Sequence, residues 1–145
     1  MKQSISEILK SVSDQKTKLD RIEAFRRHDA NDVMKNVLRL AYRPELEFDL
    51  PSGTPAYQPA PFFDLEGQLY AENRRINIFL KGNYPDMDPI KKQKLFIGFL
   101  ECLTAQDAAL MVAVKDKTIP YKNITASLVK EAFPGLIDEQ VPEEV

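Results

Sequence analysis

Five of the ten prolines in this 145-residue chain, Pro44, Pro51, Pro55, Pro59 and Pro61, fall within a single stretch of eighteen residues. Proline offers no backbone N–H and pushes the residue before it out of the helical region, so this stretch excludes both a regular helix and a central strand. What remains are helical runs before Pro44 and after Gly67, joined by a long loop. A loop of that length inside a small domain is uncommon and is usually either functional or disordered. Composition decides for order: Phe48, Leu50, Tyr57, Phe62, Phe63 and Leu65 are too many large apolar groups for a solvated linker, and they predict a strap lying across the helices. Phe48 and Leu50 also suit a brief extended segment.

On either side of the strap, apolar residues recur at helical spacing behind start signals. Ser4 and Glu7 fit a capping box ahead of Ile5, Ile8, Leu9 and Val12. Asp14 is expected to cap a second helix with Leu19, Ile22 and Phe25 facing inward, ended by Arg26, Arg27 and His28, where cations favour the C-terminal dipole. Asp29 or Asn31 caps a third, whose Val33, Met34, Val37, Leu38 and Ala41 share one face. Beyond the strap, a helix is expected over Gln68–Lys81, stopping at Gly82-Asn83, and Pro89 suits the first turn of another that reaches Leu103. That helix turns Leu95, Phe96, Phe99, Leu100 and Leu103 inward and places Lys91, Lys92 and Lys94 at an exposed start. Thr104 opens a run through Lys115 that is apolar almost all round, and Thr125 caps a last helix ended by Pro134-Gly135. These elements predict an all-α, single-domain helical bundle of six to seven short helices over residues 1–137, with the strap at 44–67 and an acidic, mobile tail at 138–145.

Several classes of chemistry lack material. One cysteine, Cys102, excludes an internal disulfide, and with the one histidine, His28, it leaves too few soft ligands for a zinc site within the chain. Cys102 is expected to be a small buried hydrophobe in a helix stripe, and His28 to close a helix C-terminus. No nucleophile is therefore paired with a base, and neither an enzyme nor a cofactor is expected. Asp86 and Asp88 alternate like calcium ligands but lack the glycine and bidentate glutamate of an EF-hand, and no glycine-rich phosphate motif occurs. Apolar runs such as Leu95–Leu100 fall far short of the roughly 20 residues that cross a bilayer. The opening Met-Lys-Gln-Ser-Ile-Ser-Glu lacks the apolar centre of a secretory signal, so a cytoplasmic protein without membrane contact is expected.

The basic residues carry more information. The net charge is −2, but four of the 22 acids (Asp138, Glu139, Glu143, Glu144) lie in the last eight residues, so eighteen acids face 20 bases over residues 1–137. Arg39 and Arg43 stand one helical turn apart, and Lys115, Lys117 and Lys122 gather around a loop feeding a helix, where lysines and backbone N–H groups can meet a phosphate.

Both ends of the chain resemble a known module. Asp14-Gln15-Lys16-Thr17-Lys18-Leu19 and Val33-Met34-Lys35-Asn36-Val37-Leu38-Arg39-Leu40-Ala41-Tyr42, within residues 5–51, are similar to the opening of the ATP-dependent DNA ligases of large tailed bacteriophages. Ala113-Val114-Lys115-Asp116-Lys117 and Val129-Lys130-Glu131-Ala132-Phe133-Pro134-Gly135-Leu136-Ile137-Asp138-Glu139-Gln140 resemble the end of those ligases' helical N-terminal DNA-binding domain. The chain also resembles small uncharacterised proteins of myophages, including cyanophages. The first resemblance implies a module that grips duplex backbone in the minor groove. The sequence has no Lys-x-Asp-Gly nucleophile motif, so ligation by this chain is not implied, and Pro120-Tyr121-Lys122-Asn123-Ile124 stands where the ligase module has a glycine-containing phosphate loop. Two functions follow as expectations. The first is a non-catalytic phage accessory protein of replication or repair, holding duplex DNA phosphates through Arg39, Arg43, Lys115, Lys117 and Lys122. The second is an interaction module that binds a host or phage protein through Phe48, Tyr57, Phe62 and Phe63 of the strap.

Overall fold

Ser4, Thr17, Asn31, Asp88, Thr104 and Thr125 each stand one residue before a helix, and each side chain accepts a backbone N–H from the first turn. Such caps contribute about 1 kcal/mol apiece, and here they fix where the chain enters each element. The computed structural model describes residues 4–58 and 68–137. Its helices are α1 (Ile5–Ser13), α2 (Lys18–Arg27), α3 (Asp32–Tyr42), α4 (Gln68–Glu72), a 3₁₀ helix (Asn73–Phe79), α5 (Pro89–Glu101), α6 (Ala105–Lys115) and α7 (Ala126–Ala132). The fold is all-α. Phe62, Phe63, Leu65 and the 138–145 tail lie outside the described residues.

Helix α6 occupies the centre and packs against α1, α3 and α5, while α2 packs on α7. Leu110, Met111 and Val114 of α6 are fully buried. Phe79 lies edge-on to Phe96 at 5.2 Å between ring centroids, with Phe99 beside both, and Phe25 meets Phe133 at 5.6 Å where α2 crosses α7.

Several local expectations need correction. Thr17, not Asp14, caps α2, because Asp14 closes α1 and pairs with Lys10 at 3.0 Å. Leu19 is 74% exposed, since Phe25 anchors the inner face of α2 six residues on, about 120° around the axis. The helix expected over Gln68–Lys81 is five residues of α-helix followed by a 3₁₀ helix. Asn73 and Asn77 favour that change because asparagine competes for backbone hydrogen bonds, and Asn36 Nδ2 of α3 donates to Asn73 Oδ1 at 3.1 Å. Cys102 is exposed, because α5 stops at Glu101 and Cys102 opens the turn that buries Leu103 instead.

Asp107 joins the starts of two helices. Its Oδ1 accepts the backbone N–H of Ser6 in α1 at 3.1 Å while its own N–H is capped by Thr104, and its Oδ2 has no partner among the described residues. Burial raises its carboxyl above the ordinary 3.8, with hydrogen bonds from Ser6 pulling the other way. Relative to the unfolded chain, the folded state therefore favours the protonated form more. This group's contribution improves as pH falls through the raised folded value and stops changing below 3.8, where the unfolded chain is protonated too. Asp107→Asn, which keeps the Oδ1 acceptor without the charge, is expected to exceed the native chain in stability at pH 7, with the difference shrinking toward pH 4. Urea unfolding at the two pH values reads this, and an unchanged difference would contradict it.

Over its described residues the strap lies on α5 and α6. Phe48 makes one antiparallel bridge with Leu80, framed by Asp49 N–H to Phe79 O at 2.7 Å and Lys81 N–H to Glu47 O at 2.8 Å. Lys92, expected at an exposed helix start, is instead buried, and its Nζ donates to Asp49 Oδ2 at 2.8 Å and Tyr84 O at 3.2 Å. Lying four residues before Phe96 and seven before Phe99, it shares their inward face. Further along, Gly53, at φ +92, donates its N–H to Asp116 Oδ2 at 3.1 Å, and Gln58 N–H donates to Glu101 Oε2 at 2.8 Å.

Candidate phosphate-binding cleft between α3 and the end of α7

Lys35, Arg39 and Arg43 follow one another at four-residue intervals, which places them in a row along one ridge of α3 and its C-cap. Opposite the row runs the turn from Ala132 to Leu136, and between them lies a cleft of about 400 Å³. The end of a helix presents unpaired carbonyls and partial negative charge, and cations gather there. Arg26 takes the carbonyls of Glu131 and Ala132, at 3.2 and 3.3 Å. Arg43 takes those of Leu136 and Gly135, at 3.0 and 3.5 Å, and pairs with Glu45 at 3.0 Å. Lys35 pairs with Asp29 at 2.8 Å and sits 5.2 Å from the centroid of the Phe133 ring.

Arg39 differs from its neighbours. It is half-buried in the cleft wall, and its guanidinium meets no carboxylate or carbonyl among the described residues. An arginine held by its stem, with five N–H donors unanswered, is suited to an oxyanion. Among the described residues, no three His, Cys, Asp or Glu side chains gather to hold a metal ion.

The lysines expected beside Arg39 and Arg43 are elsewhere. Lys115 has a side chain only 2% exposed, and its Nζ donates to Pro51 O at 2.8 Å and Asp116 Oδ1 at 2.7 Å. Lys117 Nζ donates to the carbonyls of Leu40, Arg43 and Leu46, where α3 ends and the strap begins. Burial lowers the Lys117 ammonium from its ordinary 10.5, opposed by the charges of Glu45 and Glu47. Both lysines leave the phosphate-binding set for one physical reason: they close a helix buried on nearly every side, where an ammonium finds carbonyl oxygen before it finds water. Lys122 is exposed but does not line the cleft. Of the five, the structure brings Arg39 and Arg43 together and adds Lys35, whose spacing from Arg39 repeats that of Arg39 from Arg43.

Strap aromatics fare similarly. Phe48 is 5% exposed within the core and is withdrawn from any partner surface, because its bridge to Leu80 turns it inward. Tyr57 is half-buried against the same core, and Phe62 and Phe63 lie outside the described residues. Among the described residues no helix is long and apolar enough to cross a membrane. No curated protein matches the chain in a sequence comparison. Residues 8–121, which take in most of α1, all of α3, the strap, α5 and α6, match a family model described as a family of unknown function, and the chain accordingly belongs to the DUF6433 family.

Proposed function

We propose that this protein is a non-catalytic accessory factor that grips the sugar–phosphate backbone of duplex DNA at the α3–α7 cleft, without base readout. The observation that carries the reading is the row of Lys35, Arg39 and Arg43 with the Arg39 guanidinium uncompensated. Eight residues of helix span roughly 12 Å, enough for about three successive phosphates of one strand. The resemblance of both chain ends to the DNA-binding module of phage ligases supports the same reading, and with it a place in phage DNA replication or repair in the host cytoplasm. A protein partner at the strap aromatics is the weaker alternative, since Phe48 is core and the strap is fastened at Asp49, Pro51, Gly53 and Gln58.

Three phosphate contacts, for which Lys35 gives up Asp29 and Arg43 gives up Glu45, release about three counterions, so affinity falls roughly 40-fold between about 50 and 200 mM salt. Fluorescence anisotropy of labelled duplexes of two unrelated sequences reads this directly. Equal, salt-sensitive binding to both is expected; no binding at the lower salt, or strong preference for one sequence, would overturn the reading.

A further inference from the structure

We infer that the cavity between the strap and α5 is a binding site for a small neutral molecule with an apolar body and one carbonyl-type acceptor. The cavity measures about 280 Å³ and lies between Leu50, Pro55 and Ala56 of the strap and Phe96 and Ile97 of α5, with Lys115 of α6 also lining it. Its rim is reachable, since Ser52, Thr54 and Ala56 are exposed. This site is separate from the α3–α7 cleft and shares no residue with it.

Lys115 dictates the chemistry of the occupant. An ammonium has three donors, and two of them go to Pro51 O and Asp116 Oδ1. The third finds no acceptor among the described residues, on a side chain that is 2% exposed and lines the cavity. A buried unused donor favours any occupant that brings an acceptor oxygen. Charge is already balanced there, because Asp116 stands 2.7 Å from the Lys115 nitrogen. A carboxylate ligand would meet the Asp116 charge, and a cationic ligand would meet the ammonium, so a neutral acceptor is selected. The volume sets its size. A cavity of 150 Å³ holds benzene, so this one takes about ten non-hydrogen atoms.

Benzamide, with about nine such atoms, is a suitable probe, and a ligand of that size binds in the millimolar to high-micromolar range. The experiment is a titration of the full chain followed by ¹H–¹⁵N spectra, with benzylammonium and benzoate as the charged comparators. Benzamide is expected to shift the amides of Gly53, Ala56 and Ile97 saturably, and both charged comparators at least fivefold more weakly. Lys115→Met should weaken benzamide binding several-fold by removing the donor. Because that change also releases Pro51, Ala56→Trp is the second variant: Ala56 lines the cavity and is itself exposed, so a bulky side chain there takes up cavity space without replacing a core residue, and binding should fall at least tenfold. Absence of shifts at tens of millimolar benzamide, equal binding of benzylammonium, or undiminished binding by Ala56→Trp would each overturn the proposal.

Discussion

Lys117→Met is expected to lower the free energy of unfolding by about 3 kcal/mol, the equivalent of roughly 10 °C in Tm for a chain of this size. Three carbonyls converge on one ammonium: Leu40 and Arg43 from the end of α3 and Leu46 from the strap. A hydrogen bond to a charged group contributes about 1.5–3 kcal/mol net, and water recovers part of the loss because the site is half-open. Methionine keeps the stem and removes every donor. Arginine does not rescue the site, since a planar fork cannot address three carbonyls gathered around a point. Lys117 also holds φ at +67, in the left-handed region that costs a non-glycine residue about 1 kcal/mol. Lys117→Gly should therefore be about 1 kcal/mol more stable than Lys117→Ala, although both lose the ammonium. Thermal and urea unfolding of the four variants check the order, and a Lys117→Met variant with native stability would show that the carbonyl cradle contributes nothing.

Asp49 and Lys92 yield the second large effect through an asymmetry. Lys92 Nζ is buried and bonded to Asp49 Oδ2 and Tyr84 O, whereas the Asp49 side chain is 50% exposed. Removing the buried member of a pair leaves the exposed one to water. Removing the exposed member leaves a buried charge short of its counterion, which costs several kcal/mol. Asp49→Ala is thus expected to lose about 3 kcal/mol, and Lys92→Met, which fills the same space with an apolar stem, less than about 1 kcal/mol. Equal losses on urea unfolding would mean that the ammonium reaches water when its partner is gone.

These lysines explain how far the sequence was legible. Local signals that are read within one turn, such as Ser4, Thr104 and Thr125 as caps, Pro89 at a helix start and Gly135 at a helix end, place most boundaries where the structure has them. The described part of the strap also follows from composition, because Phe48, Leu50 and Tyr57 among prolines need something to lie on. Side-chain polarity misled where tertiary environment overrides it. Lys115 and Lys117 read as surface charge only if α6 is taken apart from its own pattern: a helix apolar on nearly every side is enclosed, and so is the Lys115 charge at its end, with Lys117 half-buried just beyond it. Lys92 carried a clearer signal in its four- and seven-residue spacing to Phe96 and Phe99. Lys35 was available by the same counting, one turn before Arg39. The cradle at Lys117 had no sequence signal, since its carbonyls come from residues more than seventy positions away.

The inward lysines that fasten the strap are thus separate from the α3 row of Lys35, Arg39 and Arg43, which we propose meets phosphate. Arg39 is the residue on which that separation rests, and Arg39→Glu tests it with little effect on the fold because the guanidinium holds nothing among the described residues. Anisotropy titration of a labelled nicked duplex and its intact counterpart, at about 50 and 200 mM salt, is the most direct measurement. DNA binding at the α3 row requires native affinity in the micromolar range or tighter, and for Arg39→Glu an affinity at least tenfold weaker with a salt slope shallower by about 1 and unchanged melting. Native affinity in Arg39→Glu, or no binding of either duplex by the native chain, would contradict it.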